Sequence, residues 1–147
     1  MGKSPLADIP GNFFALPVSS TAAIASGGAN AVLAQSYFVA PANLAVLSVF
    51  RVATANEATV GTAVSSASYR RFNVVNGGSA GTGTTIMASQ NNTASTAAGG
   101  SKAFATTANS TMAAGEIGYI SHLTVGAATL DGTDAAASTF SLYFRLL

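Results

Sequence analysis

The chain has 147 residues, no cysteine, and only 7% charged side chains, six of them basic and five acidic, for a formal net charge of +1. The absence of cysteine excludes disulfides, thiolate zinc sites and cysteine nucleophiles. The basic residues are scattered and form no stripe that would follow a nucleic-acid backbone. An ordinary soluble protein carries about 25% charged residues, and net charge helps to keep proteins monomeric, so the composition predicts a subunit of a larger assembly with no nucleic-acid partner.

Residues 1–12 contain Pro5, Pro10 and Gly11 and show little apolar pattern. We expect this segment to be an extended N-terminal arm. Residues 13–147 are long enough for one domain with its own core. No window offers the roughly 18 continuous apolar residues of a membrane-spanning helix, so we expect no membrane partner.

From residue 13 onwards, short apolar runs with a period of two are separated by Gly, Asn, Asp and Ser clusters, a pattern typical of half-buried strands. Eight strands are predicted: Phe13–Val18, Val32–Val39, Leu44–Ala53, Tyr69–Val75, Thr84–Ser89, Lys102–Ala108, Glu116–Thr124 and Thr139–Leu147. This spacing favours an all-β antiparallel sandwich with jelly-roll topology. An immunoglobulin-like sandwich has the same alternation and remains open.

Two strands have informative faces. In the last one, Phe140, Leu142, Phe144 and Leu146 share a face, which we expect to lie in the core. In Leu44–Ala53, both faces are largely apolar, so this strand is expected to be buried on both sides.

The residues that could carry catalysis are few. His122 is the only histidine, and the adjacent Ser121 should point to the opposite face of its strand, away from a shared hydrogen bond. The glycine-rich stretch 78–85 resembles a phosphate-binding loop but lacks its lysine and following helix, so a hairpin connection is favoured. Asp131 and Asp134 fit a turn better than a calcium loop. We therefore expect no enzyme activity, cofactor or metal.

Arg70 and Arg71 are the most concentrated charge in the chain. Neighbours on a strand project to opposite faces, so at least one of them is expected in a buried or intersubunit environment, with Glu116 or Glu57 as its partner. An ordinary solvated arginine on an edge strand is the alternative. We take Arg70, Arg71, Glu116 and His122 as candidate intersubunit residues.

Residues 69–78 and 81–85, followed by 113–118, 121–129 and 131–134, resemble virion structural proteins of tailed bacteriophages, and in particular capsid decoration or cement proteins. The resemblance covers residues 69 to 147. It implies a β-sandwich, often trimeric, that binds the outside of an assembled capsid and stabilises the head. The partners would be the major capsid protein and other copies of the chain.

Under this resemblance, Phe13, Phe14 and Leu16 are candidate capsid-docking residues beside the arm. The protein would be made in the host bacterial cytoplasm and would reside on the outer capsid surface. The alternative is a head-fibre or tail component whose jelly-roll module binds bacterial surface glycans, with tyrosines available for sugar stacking although the chain has no tryptophan.

Overall fold

The computed structural model describes residues 13–21, 32–54, 69–93, 97–125 and 138–147. These residues form an all-β antiparallel sandwich of ten strands. The strands are β1 (Phe13–Thr21), β2 (Val32–Val39), β3 (Leu44–Ala53), β4 (Tyr69–Asn76), β5 (Thr85–Asn92), β6 (Ser101–Ala103), β7 (Ala105–Thr106), β8 (Thr111–Met112), β9 (Ile117–Val125) and β10 (Ser138–Leu146). The predicted fold class is confirmed. The jelly-roll topology, the arm at residues 1–12 and the single-domain boundary stay predictions, and the arm lies outside the described residues.

The ten strands form two sheets of five. Sheet 1 has the order β1-β10-β3-β6, with β8 also paired to β3, and sheet 2 has the order β2-β9-β4-β5-β7. The first and last long strands are therefore neighbours in sheet 1, while β2 and β9 are neighbours in sheet 2. β1 and β2 also pack against each other along one side of the sandwich.

Seven of the eight predicted strands are found with small shifts of their ends, but the single strand predicted over Lys102–Ala108 is wrong. This segment instead contains two short strands, β6 and β7, and a third, β8, follows it. They pair alternately with the two sheets: β6 and β8 with β3, and β7 with β5. Between β6 and β7, the side chain of Phe104 is buried, and its N–H donates to the carbonyl of Val49. This segment crosses from one sheet to the other, so no single alternation describes it.

The final strand has the predicted core face. Phe140, Leu142 and Phe144 are at most 1% exposed and Leu146 packs against the core, whereas Tyr143 and Arg145 between them are exposed. Alternation along a strand sends successive side chains to opposite faces, and only one face of β10 is turned inward.

The prediction that Leu44–Ala53 is buried on both sides is wrong. Leu47 and Phe50 are exposed, while Val46 and Val49 are buried. The pairing of β3 with β10 shifts between Tyr143 and Phe144, and this bulge inserts one extra residue into β3. Before the bulge, the side chains of Leu44 and Val46 face inward. After it, every second side chain from Val49 onwards faces inward.

Aromatic rings fill the space between the sheets. Phe140 of β10 lies 6.0 Å from Phe72 of β4 and 6.1 Å from Phe104, measured between ring centroids. Towards the other end, Phe38 lies 5.9 Å from Phe144. A β-carbon on Gly118 would come within 2.2 Å of the Phe38 ring, so this glycine gives the ring its space in the core.

Candidate assembly surfaces

The interior of the sandwich is polar at one end. Arg51, Arg70 and His122 are at most 2% exposed. The guanidinium of Arg51 lies 4.3 Å from the centroid of the Phe72 ring, and its Nε donates to Ser138 Oγ over 2.9 Å. Burial lowers the pKa of Arg51 to about 10. Hydrogen bonding and ring stacking offset part of the cost of burying this cation.

The two adjacent arginines point in opposite directions, as the strand geometry predicts. Arg70 is buried, whereas Arg71 is partly exposed on the outer face of sheet 2, where its Nε donates to Asn91 Oδ1 over 2.9 Å and its Nη2 to the Tyr69 hydroxyl over 3.0 Å. The prediction that one arginine is buried is confirmed, and Arg70 is that residue. Arg70 is buried within the protomer, and the intersubunit role of the pair stays a prediction.

His122 and Ser121 also lie on opposite faces of their strand. His122 faces the core, where its ring centroid is 6.2 Å from that of Phe72, while Ser121 lies 3.5 Å from the Asn73 amide on the outer face of sheet 2. Burial, together with the charge of Arg70, lowers the pKa of His122 to about 4. The burial of His122 does not support its assignment as an intersubunit residue.

Glu116 lies at the opposite end of the sandwich from the arginines. Its Oε2 accepts hydrogen bonds from the Ala113 N–H and from Asn76 Nδ2, each 2.7 Å long. Both bonds lower the pKa of the Glu116 carboxyl. Asn76 is six residues beyond Arg70 on β4, a separation of about 20 Å, so Glu116 is not the partner of the arginine pair. The other suspect, Glu57, lies outside the described residues, as do Asp131 and Asp134.

The three candidate docking residues lie in β1. Its backbone pairs with β10 so that Phe13 is opposite Arg145, Phe14 opposite Phe144 and Leu16 opposite Leu142. Their docking role stays a prediction.

The outer face of sheet 1 presents a low apolar ridge, formed by Leu47, Phe50 and Tyr143. These side chains are 40%, 37% and 41% exposed, and the rings of Phe50 and Tyr143 pack edge to face with centroids 6.0 Å apart. Arg145 is exposed two residues beyond Tyr143 on the same strand. Edge-to-face packing fixes the direction of the Tyr143 ring.

The outer face of sheet 2 contains a depression of about 150 Å³. Strand pairing sets Asn73 opposite Ser121 and Val75 opposite Tyr119. The lining side chains come from β4, β9 and the start of β5: Asn73, Val75, Thr84, Ile86, Tyr119, Ser121 and Leu123. The walls are mainly apolar, and Asn73 Oδ1 is buried without a hydrogen-bond partner among the described residues.

The hairpin between β4 and β5 folds back to form one rim of this depression. It is the glycine-rich stretch that resembles a phosphate loop, and the predicted hairpin connection is confirmed. The Tyr119 hydroxyl donates to the Gly83 carbonyl over 2.9 Å, and the Gly83 N–H donates to the Gly77 carbonyl over 2.8 Å. A β-carbon on Gly83 would come within 2.9 Å of the Gly77 backbone, so the tight fold requires glycine here. Burial raises the pKa of Tyr119, and Tyr37 nearby adds to the shift.

The sheet edges that the structure describes are poorly suited to pairing with another strand. On one side, β1 contains Pro17, which has no N–H, and β2 has a bulge at Ser36, whose φ is +56°. On the other side, the edges are formed by β6, β7 and β8, which are two or three residues long. Proline, bulges and short strands all block the addition of a strand from another chain.

The depression is the feature that the sequence does not reveal. Alternation along β4 places Asn73 with Val75, and alternation along β9 places Ser121 with Tyr119. What brings the two pairs together is the register between β4 and β9, which no pattern within either strand specifies.

Among the described residues, no three His, Asp or Glu side chains are close enough to share a metal ion. No helix in this part of the chain is long and apolar enough to cross a membrane.

Comparison with known proteins leaves the family open. No protein-family model matches the chain, and no curated protein matches it. One solved structure, titled "Structure of infectious bursal disease virus Gx strain", contains a chain that is 10% identical over 99% of this chain, with a TM-score of 0.44. This chain covers 36% of that one. Similarity at this level carries no argument about function.

Proposed function

We propose that this chain is a structural subunit of a virus particle that binds the outer surface of a tailed-bacteriophage capsid as an oligomer and stabilises the head. The observation that carries the proposal is the pair of outer sheet faces. Both expose large apolar side chains, and the charged side chains described on them are arginines, Arg145 on sheet 1 and Arg71 on sheet 2. Such faces bind protein at little desolvation cost.

The sequence supports the same role independently. Its scarcity of charge reduces the repulsion between closely packed copies, and residues 69–147 carry the resemblance to decoration proteins. Many copies on one shell would convert modest individual contacts into strong overall binding. No reacting side chain is needed for this function, and we propose that the protein is not an enzyme.

The capsid contact is assigned to β1. Phe13 pairs with the exposed Arg145 at the beginning of an edge strand, so this end of the strand lies beside the outer face of sheet 1. In this proposal, Phe13 contacts the major capsid protein with the help of the segment that precedes it. Phe14 and Leu16 lie opposite the buried Phe144 and Leu142 and are therefore left out of this contact.

The test is co-sedimentation of the purified protein with heads of the virus whose genome encodes it, prepared without this protein. We expect saturable binding and an increase in the temperature at which the heads release their DNA. A variant with Phe13→Ser should bind less well than a matched Leu147→Ser variant, which removes a 63% exposed apolar side chain outside the ridge and the depression. Heads that bind no protein at micromolar concentration would contradict the proposal.

A further inference from the structure

We propose that copies of this chain associate head to tail, with Tyr143 on the sheet 1 ridge of one copy inserted into the sheet 2 depression of the next. This inference deepens the proposed function, since it names the contact through which a structural subunit would self-associate. It does not require the capsid, so the two proposals can fail separately.

The edges of the sandwich direct association to its faces. Pro17, the Ser36 bulge and the three short strands each remove or interrupt the row of backbone groups that a neighbouring strand would need. Of the surfaces formed by the described strands, the two outer faces are the large ones that remain. One carries partly exposed apolar side chains and the other an apolar depression, so a ring from the first can be buried in the second.

The polar groups are complementary as well. Asn73 Oδ1 is a buried acceptor that lacks a donor among the described residues, and leaving such a group unpaired costs about 1–3 kcal/mol. Tyr143 combines an apolar ring with a hydroxyl donor at its tip. The amide of Asn73 can turn towards an incoming hydroxyl because its terminal torsion has a broad energy minimum, and its bond to Ser121 is long, at 3.5 Å.

The dimensions agree with one inserted ring. A cavity of about 150 Å³ accommodates a benzene molecule, and the depression has this volume. Each outer face is about 30 Å long and three or four long strands wide, which gives a footprint of roughly 430–580 Å². Side-chain relief raises the accessible area towards the roughly 600 Å² per partner of the smaller stable interfaces.

A contact between two different faces is heterologous. Repeated around a rotation axis it closes a ring, and without closure it extends into a filament. The two outer faces of a sandwich point in nearly opposite directions, so repetition of this contact stacks copies in a line. The trimer expected from the resemblance would need a different contact.

Two variants separate the halves of the contact. Tyr143→Ala removes the inserted ring but leaves the depression open. Thr84→Trp places a bulky ring at the exposed wall of the depression and leaves its floor untouched. The matched controls are Thr139→Ala, on the same exposed face of β10, and Thr85→Trp, next to Thr84 but outside the lining.

The measurement is absolute mass by light scattering during size-exclusion chromatography, with circular dichroism to verify folding. We expect the wild type and both controls to be oligomers, and Tyr143→Ala and Thr84→Trp each to be monomers. An equimolar mixture of the two monomeric variants should form a dimer and nothing larger, because it contains one intact ridge and one intact depression. Tyr143→Phe should weaken association about three- to tenfold, the value of one neutral hydrogen bond.

Three results would overturn the inference: oligomers of unchanged mass for both variants, a mixture that remains monomeric, or a simple carbohydrate that occupies the depression without changing the mass. A wild-type monomer that still co-sediments with viral heads would refute the head-to-tail contact and support the proposed function. A wild-type oligomer that shows the expected variant behaviour but binds no heads would support the head-to-tail contact and refute the proposed function.

Discussion

The two ends of the sandwich interior are built from different chemistry. At the end near Leu44 and Phe144, the described side chains between the sheets are apolar, and Phe38 and Met112 complete the packing. About 20 Å away along β10, the interior contains Arg51, Arg70, His122 and Ser138. The first end is stabilised by non-directional apolar burial, whereas the second depends on directed bonds and on the protonation of its groups. The ends should therefore respond differently to substitution and to pH.

The largest effect is expected from Phe144→Ala at the apolar end. Loss of a fully buried ring leaves a cavity and should cost about 3–5 kcal/mol in the free energy of unfolding. Phe50→Ala is the matched control, since its ring is 37% exposed, and it should cost about 1 kcal/mol. Equal losses in urea denaturation would show that the two positions do not differ in burial.

At the polar end, Arg51→Lys tests directed bonding without removing the charge. A lysine can neither stack a planar group on Phe72 nor reproduce the guanidinium bond to Ser138, so we expect a loss of about 2 kcal/mol. Arg145→Lys, the same change at an exposed position of β10, should be neutral within about 0.5 kcal/mol. Chemical denaturation of both variants measures the difference, and a neutral Arg51→Lys would show that charge alone matters there.

His122 should make the stability depend on pH. Its folded pKa of about 4 lies below the ordinary 6.5, so the unfolded chain binds more protons between these values. Stability is complete above about pH 6.5 and falls as the pH decreases towards 4. Allowing for solvent screening, we expect a loss of about 1–2 kcal/mol. The loss should shrink in His122→Gln, and an unchanged pH profile in that variant would assign the dependence to other groups.

The smallest effect is expected at Glu116, outside the interior at the apolar end. The Ala113 and Asn76 bonds hold its pKa below 4.5, so the stabilisation is present above the unfolded pKa and disappears as the pH falls through the folded value. In an NMR titration, Asn76→Ala should raise the pKa of Glu116 towards the ordinary value. Thr85→Ala, on the neighbouring strand, is the control and should leave it unchanged.

Sequence patterns predict the individual strands better than they predict how the strands pair to form surfaces. The alternation in β10 is unbroken, so its core face is evident from the sequence. In β3 a bulge exchanges the inward and outward faces of the strand. No residue between Leu44 and Val49 indicates this bulge in the sequence. The split of Arg70 and Arg71 follows from a period of two, but that period does not specify which of them is inside. The depression depends on the pairing of β4 with β9, and pairing is a property of the whole fold.

The crossing segment from Ser101 to Met112 has a mechanical consequence. One short length of backbone is hydrogen-bonded first to β3, then to β5, then to β3 again, and Phe104 anchors it in the core between two of these contacts. The segment links the two sheets, so a force that slides one sheet over the other must first break its bonds to one of them. On that side of the sandwich, the two sheets are therefore coupled through backbone hydrogen bonds, and this coupling opposes shear between them.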